Sequence, residues 1–196
     1  MFSTDIIIHE KLVSEKFRLL PLLVKNNELD YNAVMEARLF LNKLTDGRWP
    51  TADFTLDQNQ EDLEGHEKSR EKREEITFSI FDSSGEKVIG CIYIRPIKKR
   101  LEETIPQTDF EKLNLHDDSA SIWYWLVPKA VDEGIEDIFL KEFKKWIVKD
   151  WNFPFIAYFL SDKPSKIGHY TSTFEKNELT CLYSLDEEDK ITRLYF

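Results

Sequence analysis

Residues 120–147, ASIWYWLVPKAVDEGIEDIFLKEFKKWI, decide the fold, because an apolar strand runs here through a short loop into an amphipathic helix. Ile122 to Val127 are apolar or aromatic without a break, the pattern of a strand covered on both faces. Pro128 ends the run, since it has no amide hydrogen to give a sheet ladder. Past Gly134, residues Ile135, Ile138, Phe139, Phe143, Trp146 and Ile147 recur at helical spacing. Asp132, Glu133, Glu136 and Asp137 crowd the start of that helix, and Lys141, Lys144, Lys145 and Lys149 its other end, as the macrodipole favours. A strand feeding a helix through a glycine loop is a generic anion site, because the first amides of a helix point outward without partners. The same pattern also fits a plain strand-to-helix crossover.

Upstream, FRLLPLLV (Phe17 to Val24) reads as a strand that Pro21 moves toward a sheet edge or a bulge. Asp30 is placed as the N-cap of one helix running through Leu44, with Tyr31, Val34, Ala37, Leu41 and Leu44 on its apolar face. GRWPTADF then forms an aromatic loop, and Thr55 with Gln58 has the spacing of a capping box for a charged helix to about Glu75. His66 falls on the thin apolar stripe of that helix and reads as a packed, hydrogen-bonded side chain. Ile76 to Ile80 alternate, Asp82 to Gly85 turn, and VIGCIYI follows, which predicts a hairpin whose second arm is central. Residues 96–118 have weak periodicity and read as an excursion. After the central helix come a strand (Phe153 to Leu160), a polar stretch (Ser161 to Asn177) at most partly helical, and two strands around an acidic turn.

The chain of 196 residues, 41% hydrophobic, suits one domain spanning 1–196. A formal charge of −10 argues against nucleic acid as a partner, even with the local knot Arg95, Lys98, Lys99 and Arg100. The two cysteines, Cys91 and Cys181, sit in apolar runs, so buried free thiols are expected and neither a disulfide framework nor a metal site is signalled. With no basic, apolar leader and no apolar run of spanning length, a cytoplasmic protein without membrane contact is expected. Tyr183, Tyr195 and Phe196 near the closing strands fit either a homodimer contact or core.

The order of elements resembles that of the GCN5-related N-acetyltransferase (GNAT) superfamily, over most of the chain. LDYNAVMEAR (Leu29 to Arg38), RWP (Arg48 to Pro50) and VIGCIYIRP (Val88 to Pro96) are similar to an uncharacterised bacterial branch of it. The resemblance implies an α/β fold with a mixed central sheet of about six or seven strands flanked by helices. It also implies acetyl-CoA as cosubstrate and no metal. VPKAVDEGIEDIFL resembles the segment whose family pattern, Q/R-x-x-G-x-G/A, binds the pyrophosphate through backbone amides. Carried over, it places Leu126, Val127, Val131, Asp132, Glu133, Gly134, Ile135 and Glu136 at the acetyl-CoA site. Val131 stands where the pattern has Gln or Arg, and Glu136 where it has Gly or Ala, so the motif is degenerate. A carboxylate about 6 Å from a phosphate costs roughly 2 to 3 kcal/mol at an effective dielectric of about 20, so weakened binding is expected. Ser161 to Thr180 resembles the late segment in which a tyrosine protonates the departing thiolate; Phe174 stands there, without a proton to give.

Two functions follow from this resemblance. One is an N-acetyltransferase acting on a small-molecule or peptide amine, by positioning and by strand amides that polarise the thioester, with water or a remote carboxylate taking the amine's proton. Its candidate chemical groups are Tyr124, Ser121 and Glu36, and Trp49, Tyr93 and Tyr124 are expected to line the acceptor pocket. The other is a module that kept the fold, lost catalysis, and binds a ligand or regulates a partner.

Overall fold

A computed structural model describes all 196 residues. Two short strands, β1 (Leu12–Val13) and β2 (Phe17–Pro21), precede the helices α1 (Asn27–Glu36), α2 (Arg38–Leu44) and α3 (Leu56–Glu71). The hairpin β3 (Ile76–Asp82) and β4 (Val88–Pro96) is followed by α4 (Lys98–Glu102) and α5 (Gln107–Leu113). Then come β5 (Ala120–Leu126), α6 (Pro128–Asp132), α7 (Ile135–Asp150), β6 (Ile156–Asp162), α8 (Pro164–Lys176), β7 (Cys181–Asp186) and β8 (Ile191–Tyr195). The strands form one eight-stranded mixed sheet in the order β1-β2-β3-β4-β5-β6-β8-β7. That is more than the expected six or seven, because β1 is two residues long and leaves no periodic signal. It pairs only with Arg18 and Leu19, so Pro21 lies beyond it, on an edge that needs no amide hydrogen.

Local sequence explains the helices. Thr55 and Gln58 make the capping box, with the Gln58 amide donating to Thr55 Oγ1 at 3.2 Å and the Thr55 amide to Gln58 Oε1 at 2.9 Å. The expected single helix to Leu44 bends at Ala37, across which the bonds Ala37 N–H to Ala33 O and Leu41 N–H to Ala37 O continue. Asp30 is no cap: α1 starts at Asn27, and Asp30 is buried within it. The polar stretch after β6 is a thirteen-residue helix, α8, contrary to the expectation of partial helicity. Ile167, Tyr170, Thr173 and Phe174 form its one buried stripe, narrow enough to be hidden by the polar residues around it.

The remaining expectations sort by packing. Cys91 is buried but Cys181 is exposed on the edge strand β7, so only one thiol is in the core. The 96–118 excursion packs Ile97, Leu101 and Ile105 on Ala157, Phe159 and Leu194, and so covers one face of the sheet's far half. The basic knot is used locally: Arg95 pairs with Glu75, Lys98 with Asp117, and Arg100 stacks over Phe159. Tyr195 is buried, the Tyr183 hydroxyl donates to Asp109, and Phe196 lies beneath Lys144.

The sheet's central feature is a divergence. β4 and β5 pair along their length, from Gly90↔Leu126 to Pro96↔Ala120. β5 and β6, the one parallel pair, stay together only from Ala120↔Ile156 to Ile122↔Tyr158. Residues 123–126 of β5 therefore have a partner on one side and a gap on the other. Close approach of β4 to this segment needs Gly90, where a Cβ would lie 2.1 Å from the Trp125 carbonyl oxygen. Gly90→Ala should lose about 1–3 kcal/mol or more in urea unfolding. Gly168→Ala, on α8 with no atom within 4 Å of the added Cβ, should be neutral or gain up to about 1 kcal/mol. Equal behaviour of the two variants would contradict the close approach.

Candidate active site

Strand geometry decides which groups of β5 face the gap. The Val127 amide donates to Ile89 O at 2.9 Å, so backbone groups of 127, 125 and 123 point toward β4, and those of Tyr124 and Leu126 toward the gap. The Tyr124 carbonyl accepts there from the Tyr170 hydroxyl of α8 at 2.7 Å. Beside it opens a cavity of about 310 Å³, lined by Leu126, Pro128, Val131, Asp132, Glu136 and, across from them, Lys43, Lys166, His169 and Tyr170.

The loop into α7 forms one wall. Gly134 has φ 74°, and an added Cβ there would meet nothing within 4 Å, so the approach to the helix start is open. No side chain caps α7, which leaves its first amides, at Ile135 and Glu136, for a ligand. The other expected loop donors are already used: Val131 N–H bonds to Val127 O, Glu133 N–H to Lys129 O, and Gly134 N–H to Val131 O. α6 and its turn take up the Val131, Glu133 and Gly134 amides, and β4 takes the Val127 amide.

Glu136 turns inward. It is 4% exposed and accepts from the Tyr124 hydroxyl at 2.7 Å, from His169 Nε2 at 3.0 and 3.1 Å, and from Thr173 Oγ1 at 3.5 Å. The hydrogen bond to Glu136 raises the His169 pKa above the usual histidine value, against burial, which lowers it. An imidazolium held at this distance offsets the carboxylate that stands where the family pattern has a small residue. Lys43 and Lys166 add positive charge opposite Asp132, and Lys166 is itself held by Asp46 and Asp162. His169 binds its proton more tightly folded than unfolded. Its stabilisation is therefore complete below the ordinary value of 6.5 and is lost as pH rises through the raised folded value. The urea midpoint should fall over that rise, and His169→Gln should flatten this limb; an unchanged limb would contradict the ion pair.

A second cavity, of about 320 Å³, lies on the opposite face of the sheet. Its walls are Trp49, Tyr93, Trp123 and Trp125, and its polar groups include Asp30, Asn59, Asp62 and His66. Consecutive residues line the two cavities: Leu44 and Leu126 the first, Thr45 and Trp125 the second. The end of α2 and the open part of β5 are thus the partition between them.

The sequence candidates divide accordingly. Trp49 and Tyr93 line the second cavity, but Tyr124 does not: it points to the other face, its ring against Phe139 and Tyr170. Glu36 is outside both cavities, paired with Lys87 at 2.8 Å. Ser121 Oγ donates to Arg95 O at 3.2 Å and serves packing. Phe174 is buried, 4.8 Å from the Tyr158 ring, with no hydroxyl to offer. Sequence reasoning missed Asp30 and His66 as cavity residues. The signal was present for Asp30, which shares the stripe of Val34, Ala37 and Leu41 at spacings of a buried helix face. No group of three or more His, Cys, Asp or Glu is placed to hold a metal ion, and no helix is long and apolar enough to cross a membrane.

The diverging parallel pair, the crossover helix on one face and the late helix at the gap define the GNAT fold, and this chain has it. Comparison with solved structures gives the same answer. RimL, a ribosomal L7/L12 alpha-N-protein acetyltransferase in complex with coenzyme A, superposes at TM-score 0.66 and 12% identity, over 98% of this chain and 97% of that one. The ribosomal-protein-S5-alanine acetyltransferase from Vibrio fischeri gives 0.65 and 11%, over 96% of each chain. The microcin C7 self-immunity acetyltransferase MccE, in complex with acetyl-CoA and AMP, gives 0.62 and 13%, over 93% of this chain and 92% of that one. At these identities the likeness establishes fold. No protein-family model and no curated protein matches the chain.

Proposed function

We propose that the protein is an acetyl-CoA-dependent N-acetyltransferase acting on the amine of a small molecule or peptide. The observation that carries this reading is the pair of cavities on either side of the open edge of β5, one walled by the start of α7 and cations, the other by aromatics and carboxylates. Two substrates entering from opposite faces would meet at Tyr124 and Leu126, whose backbone groups face the gap. Fold neighbours described as acetyltransferases, two of them holding CoA or acetyl-CoA, support the same reading.

Each part of the first cavity has a role. The Glu136 amide in its wall, with the Ile135 amide next to it at the start of α7, suits a pyrophosphate, and Lys43 supplies countercharge while Lys166 and His169 balance neighbouring carboxylates. The Leu126 amide is available to polarise a thioester carbonyl. Tyr170 stands one helical turn before Phe174 and brings the phenol that position 174 lacks. Burial, followed by the Glu136 charge, pushes its pKa far above the usual phenol value, so it holds its proton until a thiolate forms beside it.

Isothermal titration with acetyl-CoA and CoA at low and moderate salt tests the site, and release of free thiol in an amine screen tests turnover. Micromolar binding is expected, weakened several-fold in Lys43→Ala and more at low salt than at moderate salt. Tyr170→Phe should lower kcat about 100-fold while leaving acetyl-CoA affinity nearly unchanged. No binding at millimolar acetyl-CoA would overturn the proposal. Binding without thiol release across amines would leave a ligand-binding module, the reading that Phe174 favours.

A further inference from the structure

The second cavity holds a carboxylate whose direct hydrogen-bond partners are neutral. Asp30 is 4% exposed, its Oδ2 accepting from Asn59 Nδ2 at 3.0 Å and its Oδ1 from the Cys91 thiol at 3.3 Å. Neither donor carries charge. Arg95 and His66, which also line the cavity, are both engaged by Glu75: it takes the Arg95 guanidinium and His66 Nδ1, the latter at 2.6 Å. A buried carboxylate left with neutral partners is costly, and a cationic ligand is the group that relieves it.

The walls fit such a ligand. Trp49, Trp123 and Trp125 present aromatic surface around the cavity, the arrangement that attracts an alkylammonium through its ring faces, while the Tyr93 ring already carries the Arg95 guanidinium at 5.1 Å. Trp49 is pinned by its indole N–H, which donates to Asp62 Oδ2 at 3.1 Å, and Tyr93 packs 5.1 Å from Trp123. The volume of about 320 Å³ corresponds to roughly ten waters at about 30 Å³ each, enough for an ammonium on a short methylene stem. Position completes the argument. Cys91, which touches Asp30, is paired in register with Trp125, the residue next to Leu126 at the partition between the cavities.

We propose that this cavity is the acceptor subsite for a primary alkylammonium, with Asp30 as the carboxylate that binds the ammonium and takes its first proton. The proton step rests on the acetyl-transfer reading above. Asp30 removes one proton, and the nitrogen lone pair forms the C–N bond to the acetyl carbon. The C–S bond then breaks with its electron pair on sulfur. The second proton lost by nitrogen neutralises that sulfur, by way of Tyr170, and Asp30 returns its own proton to water. Burial pushes the Asp30 carboxyl above the usual carboxylate range, against the hydrogen bonds from Asn59 and Cys91, which suits a base. The titratable groups facing it are His66 and Asp62 from α3 and Cys91 and Tyr93 from β4, with the Glu75 and Arg95 pair behind them.

The test uses n-propylamine to n-hexylamine hydrochlorides and the matching alcohols, titrated by tryptophan fluorescence and calorimetry without acetyl-CoA. The amines should bind and the alcohols should not. Asp30→Asn, which keeps the shape, should weaken amine binding at least tenfold, leave the acetyl-CoA titration unchanged, and remove the acid limb of kcat/KM for the amine. Trp49→Leu, at the half-buried rim, should weaken the amines several-fold and supplies a second readout should Asp30→Asn fail to fold. Equal amine affinity in wild type and both variants, or no amine binding while acetyl-CoA titrates normally, would overturn the subsite. Amine binding that depends on Asp30 with no acetyl-CoA binding would uphold the subsite and overturn the transfer reading instead.

Discussion

The structure depends on the parting of β5 from β6 after Ile122 and Tyr158. A sheet that stayed paired there would spend the backbone groups of Tyr124 and Leu126 on a neighbouring strand and leave nothing for a ligand. The divergence is held open from both sides. On one, Gly90 lets β4 keep its grip on the end of β5, because any side chain would collide with the Trp125 carbonyl. On the other, α8 inserts Tyr170 at the gap, and its hydroxyl satisfies the Tyr124 carbonyl. That bond keeps a buried acceptor from going unpaired, at a position an incoming amide could take over.

The first turn of α7 poses an electrostatic problem that the fold answers locally. Glu136 belongs to a run of acids that favours the helix start but opposes an anionic ligand at the same amides. Its carboxylate is folded away into contacts with Tyr124 and His169, and His169 carries the compensating proton. The amides keep no side-chain cap, while the charge is turned away from them. The price in specificity is that this wall depends on an ionisable pair, where a small residue would leave the site indifferent to pH.

Much of this was legible in the sequence, and the failures have physical causes. The unbroken apolar run 122–127, the proline stop and the glycine loop identify the central strand and its helix, and the Thr55 box identifies another. The same unbroken run concealed which face each aromatic takes. A strand buried on both sides has no polar alternation to reveal direction, so the sequence groups Tyr124 with Tyr93 although it points the opposite way. Asp30 reads as a cap because an aspartate before an apolar stripe usually is one; in the fold it lies on the stripe itself, buried against Asn59 and Cys91. The length of α8 is hidden in the sequence because four inward residues carry its packing while the rest are polar. Cys181 sits in a run that looks like core but forms the sheet's last strand, where one side has no neighbour.

The central claim is that the gap beside β5 receives acetyl-CoA. A crystal structure grown with the non-transferable analogue of acetyl-CoA in which a methylene separates sulfur from the carbonyl tests it most directly. The account predicts the pantetheine arm alongside Tyr124 and Leu126, the Tyr170 hydroxyl released from the Tyr124 carbonyl, and the pyrophosphate at the Ile135 and Glu136 amides. An analogue bound elsewhere, with the Tyr170 to Tyr124 bond intact and the α7 amides free, would contradict it.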